Sequence, residues 1–234
     1  MKILVTGAGR GLGLEIVTEA LNRGHEVVAG IRSLDTNLEV LEGLQKKAPG
    51  RLTLLELDVD DEESVVKAKE AMQGRWEGLD VLVNNAGIVL AREQSIEKLE
   101  FAAAENTFRT NLYGPMKMVK HFLSMLRASS NPCILNISSE SGCFAHAYGG
   151  DYSYALSKNA VNFFSAQLRK ELSPQGFAVY SVHPGWIRTS MGGWEAPENP
   201  EDSARGIVDL LERKTKLPMD EAYMIDYKGQ AMPF

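Results

Sequence analysis

Residues 2–13, Lys-Ile-Leu-Val-Thr-Gly-Ala-Gly-Arg-Gly-Leu-Gly, join a short apolar run to a turn rich in glycine. The run Lys2–Val5 predicts a buried strand, and apolar residues at helical spacing follow it over 14–21. Glycines between a strand and a helix let the backbone approach a ligand, and the helix N-terminus behind them favours phosphate. The spacing is Thr-Gly-x-x-x-Gly-x-Gly, so a phosphate-binding loop and a plain tight turn are both possible on this stretch alone.

Apolar runs and helical patterns alternate along the rest of the chain. Further strands are predicted at 26–31, 52–57, 79–83, 132–137, 177–182 and 223–226, and helices at 36–47, 61–73, 95–127, 151–172 and 201–213. Because no linker or fixed-period repeat interrupts them, we predict an α/β fold in which residues 1–234 form a single doubly wound Rossmann domain. About seven mostly parallel strands should carry helices on both faces. Gly, Pro and Trp are frequent in 190–200, which predicts a substrate loop there.

Polar or glycine-containing segments follow most of the predicted strands. They are Arg32, Asp58-Val59, Asn84-Asn85-Ala86-Gly87, Ser138-Ser139 and Pro184-Gly185. Ligands of doubly wound sheets bind beyond the carboxyl ends of the strands. We therefore expect one ligand site, along that edge of the sheet.

Tyr154 and Lys158 stand four residues apart in a predicted helix, so they share one face of it. An ammonium beside a phenol favours the phenolate, and the spacing predicts that the pKa of Tyr154 falls from about 10 toward neutrality. A phenol of that kind can exchange a proton during chemistry at a carbonyl group. The pair alone is also compatible with a half-buried tyrosine and a solvated lysine.

Composition narrows the class of protein. The net charge is −6 and no long basic run is present, which argues against nucleic acid or an anionic membrane as the main partner. Two isolated cysteines, Cys133 and Cys143, suit a reducing compartment, and no signal segment or apolar stretch of about 20 residues is visible. We expect a cytoplasmic protein. The sequence contains neither His-Glu-x-x-His nor Cys-x-x-Cys, so no metal site is expected.

Together, the motifs resemble those of the short-chain dehydrogenase/reductase family, in the right order and over nearly the whole chain. The resemblance implies the cofactor NADP(H) and a catalytic set of Asn111, Ser139, Tyr154 and Lys158. The implied cofactor-binding residues are Gly7, Arg10, Gly11, Leu12, Gly13, Arg32, Asp58, Val59, Asn84, Ala86, Gly87, Tyr154, Lys158, Pro184, Gly185, Ile187 and Thr189. Residues 149–154 and 183–189 further resemble the C-factor and Sniffer-like carbonyl reductases.

Two catalytic assignments leave alternatives open. Ser139 lies fifteen residues before Tyr154, farther than in many members of the family, so Ser138 and Ser141 remain candidates. Tyr148 and Tyr152 are alternatives to Tyr154, but neither has a lysine four residues later.

The charge at the end of the second predicted strand bears on the choice of cofactor. An NAD site places a carboxylate there to bind the ribose hydroxyls, whereas this strand ends in Arg32-Ser33. Arginine donors match phosphate oxygens, and Arg10 adds a second cation in the glycine loop. The sequence therefore predicts a preference for NADPH over NADH.

The resemblance implies reduction of a ketone, aldehyde or quinone. Tyr154 would donate the proton, Ser139 would bind the carbonyl oxygen, and Lys158 would tune the phenol and bind the nicotinamide ribose. Asn111 would use its place in a helix to hold a water that links Lys158 to solvent. Apolar residues at Phe144, Met191 and Trp194 suggest an apolar small-molecule substrate.

The alternatives are a steroid or an acyl-thioester ketone as the carbonyl or alcohol substrate, or an NAD(P)-binding signalling protein of C-factor type. The resemblance also implies a homo-oligomer, a dimer or possibly a tetramer, that pairs the helices at 95–127 and 151–172.

Overall fold

The computed structural model describes residues 1–215, 217 and 224–233. Its strands are β1 Lys2–Thr6, β2 Glu26–Ile31, β3 Leu52–Glu56, β4 Val81–Asn84, β5 Cys133–Ile137, β6 Ala178–His183 and β7 Ile225–Asp226. Its α-helices are α1 Gly11–Asn22, α2 Glu39–Lys47, α3 Glu62–Gln73, α4 Phe101–Phe108, α5 Gly114–Arg127, α6 Tyr152–Leu172 and α7 Pro200–Leu211.

The seven strands form one sheet in the order β3-β2-β1-β4-β5-β6-β7, and all neighbouring strands pair in parallel. The predicted doubly wound α/β fold is confirmed. The strand order reverses between β1 and β4, and such a reversal opens a crevice at the carboxyl ends of the strands. The glycine loop after β1 and the Asn-Asn-Ala-Gly segment after β4 meet at this point.

Two apolar layers cover the sheet, one on each face. Ile3 and Val5 pack in the layer that includes α1 and α7, whereas Leu4 packs in the layer that includes α3 and α5. All three side chains are fully buried. Burial on both faces explains why β1 is a continuous apolar run rather than an alternating one.

The predicted helix at 95–127 is divided. A 3₁₀ turn at Ile96–Lys98 precedes α4, and a π-helical turn at Arg109–Tyr113 joins α4 to α5. The π turn inserts an extra residue into the helix and thereby re-aims Asn111. In the last predicted strand, β7 begins at Ile225, and Tyr223 lies outside the described residues.

Candidate active site

The glycine loop after β1 is fastened to the segment after β4. The Thr6 hydroxyl oxygen accepts hydrogen bonds from the backbone N–H groups of Asn85 and Ala86, each at 3.0 Å. The Asn85 side-chain amide donates to the carbonyl oxygens of Thr6 and Gly7, at 2.8 and 3.1 Å. Thr6 and Asn85 therefore hold the two segments together. No sequence motif indicated this role for either residue.

Two positions of the loop require glycine because neighbouring atoms of the protein approach their backbone closely. Gly7 has φ +64°, and a Cβ there would lie 2.9 Å from the Cα of Ala86. A Cβ at Gly13 would lie 2.5 Å from the Asn85 side-chain nitrogen and closer still to the Gly7 carbonyl oxygen. The loop is therefore shaped by the absence of side chains, which leaves its backbone accessible to a ligand.

The predicted role of Asn84 applies at most to its backbone, because its side chain points into the core. The Asn84 amide nitrogen donates to Asn136 Oδ1 at 2.8 Å, and Asn136 donates in turn to the Ser165 hydroxyl at 2.8 Å. Asn84 is only 3% exposed. Leu12 is likewise buried in the first turn of α1.

The catalytic candidates meet at the carboxyl edge of β5. The Ser139 hydroxyl accepts from the Ser141 N–H at 3.2 Å and lies close enough to the Tyr154 phenol to lower the pKa of that phenol. The Lys158 ammonium lies over the Tyr154 ring, 5.7 Å from its centroid, and donates to the Ile137 carbonyl at 2.8 Å. The structure thus brings Ser139, Tyr154 and Lys158 together as predicted.

The predicted fall in the pKa of Tyr154 is wrong for this structure. Burial raises the pKa of the phenol above its ordinary value, and the hydrogen bond from Ser139 only opposes that rise. The Lys158 ammonium lies over the Tyr154 ring, and its described hydrogen bond is to the Ile137 carbonyl rather than to the phenol. Burial also lowers the pKa of Lys158 itself, from 10.5 to about 8. Helical spacing predicted the neighbours correctly but did not reveal how strongly both are desolvated.

The π turn places Asn111 near the site, and the polar atoms of its side chain are already hydrogen-bonded. Asn111 Oδ1 accepts from the Ile88 N–H at 2.9 Å, and its amide nitrogen donates to the Ile88 carbonyl at 2.9 Å and to Ser157 Oγ at 3.1 Å. A Cβ at Gly87 would lie 3.4 Å from Asn111 Oδ1 and 3.7 Å from Lys158 Nζ. The proposed water relay is therefore left to the Asn111 main chain.

The alternative serines do not meet the phenol. The Ser138 hydroxyl is buried and donates to Asn162 Oδ1 at 2.6 Å. The Ser141 and Tyr148 hydroxyl oxygens lie 3.4 Å apart. The Tyr148 hydroxyl donates its one proton to Asp151 at 3.1 Å and is engaged away from Lys158. These contacts favour Ser139 and Tyr154 over Ser138, Ser141 and Tyr148.

The cofactor edge carries two exposed cations. Arg10 caps the N-terminus of α1 and Arg32 follows β2, and within the described residues neither side chain forms a hydrogen bond or ion pair. Asp58 Oδ1 accepts from the Asp60 N–H at 2.9 Å, which fixes the carboxylate beyond β3. Val59 packs against Gly114, where a Cβ would approach it to 2.9 Å.

The segment after β6 comes back to the glycine loop. Gly185 has φ +83°, Ile187 is buried, and Thr189 lies 3.6 Å from the place where a Cβ at Gly11 would stand. The following loop has its own hydrogen bonds, including one from the Trp186 indole to the Gly192 carbonyl at 2.7 Å. Thr189 therefore lies beside the glycine loop, and cofactor binding by Pro184, Gly185 and Ile187 stays a prediction.

The three apolar side chains predicted to contact the substrate are exposed to solvent. Phe144, Met191 and Trp194 are 69%, 39% and 82% exposed. Arg92, in the loop after β4, donates to the Met191 carbonyl at 3.2 Å. No sequence motif marked Arg92, because its place depends on a loop conformation.

A family comparison matches residues 1–199 to the short chain dehydrogenase model. The chain belongs to this family of oxidoreductases. It is 32% identical over 157 residues to the C-signal protein of Myxococcus xanthus, an alignment that covers 67% of this chain and 93% of that protein.

Two solved structures cover the whole chain, each with a TM-score of 0.90 and 29% sequence identity. One is an NADPH-bound carbonyl reductase from chicken fatty liver, of which 98% is covered. The other is the carbonyl reductase Sniffer of Drosophila melanogaster, of which 99% is covered. The resemblance to C-factor and Sniffer-like proteins is thereby confirmed, and the predicted cofactor is the one bound in the chicken enzyme.

The described residues contain no group of three or more His, Cys, Asp or Glu side chains arranged to hold a metal ion. None of the described helices is long and apolar enough to cross a lipid bilayer.

Proposed function

We propose that this protein is an NADPH-dependent reductase of carbonyl groups, in which Tyr154 donates the proton. The observation that carries the proposal is the meeting of Tyr154 and Ser139 beside Lys158, at the crevice that the glycine loop borders. A hydroxyl that follows β5 and a phenol and an ammonium on α6 converge there. Both elements are far from the glycine loop in the sequence.

The direction of the pKa shift of Tyr154 suits reduction. Burial raises the pKa, so the phenol carries its proton at neutral pH. A protonated phenol can give that proton to a carbonyl oxygen on which negative charge develops. The Ser139 hydroxyl lies beside the phenol and donates to the same oxygen, which stabilises the developing charge.

Lys158 contributes a buried positive charge to the site. Its ammonium is buried and fixed by the Ile137 carbonyl, close to Gly87. A cation held there attracts hydroxyl oxygens of a bound ribose and replenishes the phenol's proton through solvent. With a pKa of about 8, Lys158 can exchange its own proton near neutral pH.

The residues at the crevice fit a dinucleotide phosphate. Gly7 and Gly13 allow the loop to pack tightly against Ala86 and Asn85, and the backbone N–H groups at the start of α1 suit a phosphate. Arg10 and Arg32 stand beside it without ionic partners in the described part of the chain, as an additional phosphate would require. When bound, NADPH supplies the hydride.

The known proteins support the same activity. The chicken and Drosophila structures are carbonyl reductases, and each superposes on the whole of this chain. The exposed apolar residues Phe144, Met191 and Trp194 favour a ketone, aldehyde or quinone with an apolar body.

The test is oxidation of NADPH against a panel of ketones, aldehydes and quinones, with absorbance at the cofactor's band as readout. We expect turnover of several apolar carbonyl compounds. A folded protein that binds NADPH and reduces no member of the panel would contradict the proposal.

The similarity to C-signal favours one second candidate, an NAD(P)-binding signalling protein. Such a protein need not retain a proton donor, whereas Asn111, Ser139, Tyr154 and Lys158 are all in place here. Tight cofactor binding without turnover on any panel member would favour this candidate over the reductase. Turnover restricted to steroids or acyl-thioester ketones would instead narrow the substrate.

A further inference from the structure

The loop after β4 contains two residues in a costly backbone conformation. Ala91 has φ 54° and Glu93 has φ 57°, both in the left-handed region that residues other than glycine rarely adopt. Strain of this kind persists only where surrounding contacts impose it. Arg92 lies between the two.

Contacts with the start of α6 impose this conformation. The Glu93 N–H donates to Asp151 Oδ1 at 3.0 Å, and Gly150 lies against the Glu93 backbone, where a Cβ would approach it to 3.4 Å. The other carboxylate oxygen of Asp151 accepts from the Tyr148 hydroxyl at 3.1 Å. The strained loop is thereby attached to Asp151, which precedes Tyr154 by three residues.

The Arg92 side chain extends from this loop to the predicted substrate loop at 190–200. Its Nη1 donates to the Met191 carbonyl in that second loop, at 3.2 Å. Its positive charge acts on both nearby phenols, since it opposes the rise that burial causes in the pKa of Tyr148 and of Tyr154. Arg92 is therefore close enough to the catalytic phenol for its charge to act on it, and it contacts the loop that carries Met191.

The charge of Arg92 has no carboxylate partner. Among the described residues, no acidic side chain lies within ion-pair distance of its guanidinium. Asp151, the acid that fixes the loop, already accepts one hydrogen bond on each oxygen. Arg188, in contrast, is bound to the Ala196 and Pro197 carbonyls at 2.8 and 2.9 Å. Arg92 has one contact to a neutral carbonyl and a fork of further donors.

We propose that Arg92 binds a carboxylate of the substrate, so that the preferred substrates are carbonyl compounds bearing a carboxylate remote from the reacting carbonyl. The planar guanidinium matches the two oxygens of a carboxylate, and the Met191 carbonyl is the weaker acceptor that it replaces. A lone arginine suits a singly charged carboxylate better than a phosphate, which usually collects several donors. The apolar body of the substrate would then lie against Phe144 and Trp194. This inference rests on the proposed reductase activity.

The experiment compares two substrates that differ only in charge, 4-carboxybenzaldehyde and its methyl ester. The readout is the ratio of kcat/KM for the acid to kcat/KM for the ester, which cancels any effect of Arg92 on Tyr154. Wild type is expected to favour the acid by about tenfold to a hundredfold, the range for a hydrogen-bonded charge pair. The ratio should fall to about one or below in Arg92→Leu and recover in part in Arg92→Lys. Arg205→Leu, which removes an exposed arginine paired with Asp202 on α7, is the matched control and should keep the wild-type ratio.

A second measurement on wild type alone does not depend on the folding of a variant. Raising the salt concentration should lower kcat/KM for the acid and leave the ester's value nearly constant, because salt screens an exposed charge pair. A wild-type ratio near one, or an Arg92→Leu ratio equal to wild type, would overturn the role of Arg92 while the reductase proposal stands. Failure of every carbonyl compound in the panel would overturn both.

Discussion

Lys158 combines two features that oppose each other at the scale of a single residue. The site uses its ammonium, yet the side chain is only 5% exposed and its described hydrogen bond is to one backbone carbonyl, that of Ile137. Burial in a medium that solvates charge poorly lowers the pKa of Lys158 to about 8. Burial of the Lys158 ammonium therefore lowers the stability of the fold, and it is retained because the chemistry uses the charge.

Lys158→Met should stabilise the cofactor-free protein at pH 7 while it damages function. Below about pH 8 both the folded and the unfolded chain hold the proton, and the folded state carries the full cost of burying the charge. Between about pH 8 and 10.5 only the folded state has released it, so wild-type stability rises with pH through that window. The fall in the pKa of Lys158 from 10.5 to about 8 corresponds to a rise of at most about 3 kcal/mol in the free energy of unfolding of the variant at pH 7.

Urea unfolding of both proteins at pH 7 and pH 10 measures this difference. The advantage of Lys158→Met should shrink at the higher pH, while its NADPH dissociation constant rises and its kcat falls. A variant with normal kcat at saturating cofactor would contradict the catalytic role of Lys158. One that is less stable than wild type at pH 7 would contradict the buried charge.

Arg32 should decide the choice between NADPH and NADH. Its guanidinium is exposed after β2 and has no ion pair among the described residues, so it is available for a 2′-phosphate. Arg32→Asp should lower kcat/KM with NADPH by tenfold or more, since hydrogen bonds to charged groups contribute about 1.5–3 kcal/mol. The introduced carboxylate should raise the value with NADH.

The measurement is kcat/KM with each cofactor for wild type and Arg32→Asp. Arg75→Asp, at an exposed arginine that follows α3, is the matched control. A wild-type preference for NADH, or a preference that Arg32→Asp leaves unmoved, would show that the 2′-phosphate is recognised elsewhere.

At the scale of elements, the start of α1 depends on backbone contact that only glycine allows. A Cβ at Gly13 would lie 2.5 Å from the Asn85 side chain and closer still to the Gly7 carbonyl, whereas a Cβ at Gly9 would be 3.5 Å from Ile31. Gly13→Ala should therefore push α1 away from the loop and cost about 1–3 kcal/mol of stability. Gly9→Ala should cost much less.

Thermal unfolding and NADPH titration of the two alanine variants measure this difference. Gly13→Ala should lose affinity for the cofactor as well as stability, because the displaced loop no longer presents its N–H groups. Equal behaviour of Gly13→Ala and Gly9→Ala would contradict the contact that the structure places at Gly13.

The elements that the sequence predicted well are those buried on both faces. β1 and β2 are uninterrupted apolar runs because helices cover both sides of the sheet, and β2 was predicted with both its ends correct at Glu26 and Ile31. Gly24 and the glycine loop mark the ends of α1 by local backbone chemistry. Such signals are local, so a single sequence contains them.

The features that were missed depend on contacts between distant segments. The direction of the Asn84 side chain depends on Asn136 in the neighbouring strand, 52 residues later. The pKa of Tyr154 depends on how completely the surrounding segments exclude water. The position of Arg92 depends on a loop that is hydrogen-bonded to Asp151, 58 residues away from Glu93 in the sequence. No spacing rule within one segment contains this information.

At the scale of the whole molecule, α4, α5 and α6 leave an apolar face exposed to solvent. Phe101, Met116, Leu156 and Phe163 are 73%, 43%, 58% and 61% exposed. Leu156 and Phe163 are two turns apart on α6, so they share one face of the helix. Exposed apolar patches of this kind mark interaction surfaces, and the predicted pairing of these helices with a second copy would cover them.

Light scattering at micromolar protein should report a dimer or a tetramer. Phe163→Glu should convert it to a monomer, because a carboxylate would be buried at the centre of the interface. Val40→Glu changes an equally exposed apolar residue on α2 and should leave the mass unchanged. A monomeric mass for wild type would contradict the prediction.

The proposed reductase activity depends on Tyr154 as the proton donor, and one comparison tests that assignment most directly. Tyr154→Phe removes the hydroxyl that meets Ser139, while Tyr152→Phe removes another hydroxyl from the same helix. The measurement is kcat for reduction of the best panel substrate, together with the NADPH dissociation constant of each variant. Tyr154→Phe should lose at least about 10²–10⁴ in kcat, the usual contribution of general acid–base catalysis, and bind NADPH nearly as wild type does. Tyr152→Phe should remain active. An active Tyr154→Phe beside an inactive Tyr152→Phe would contradict the assignment.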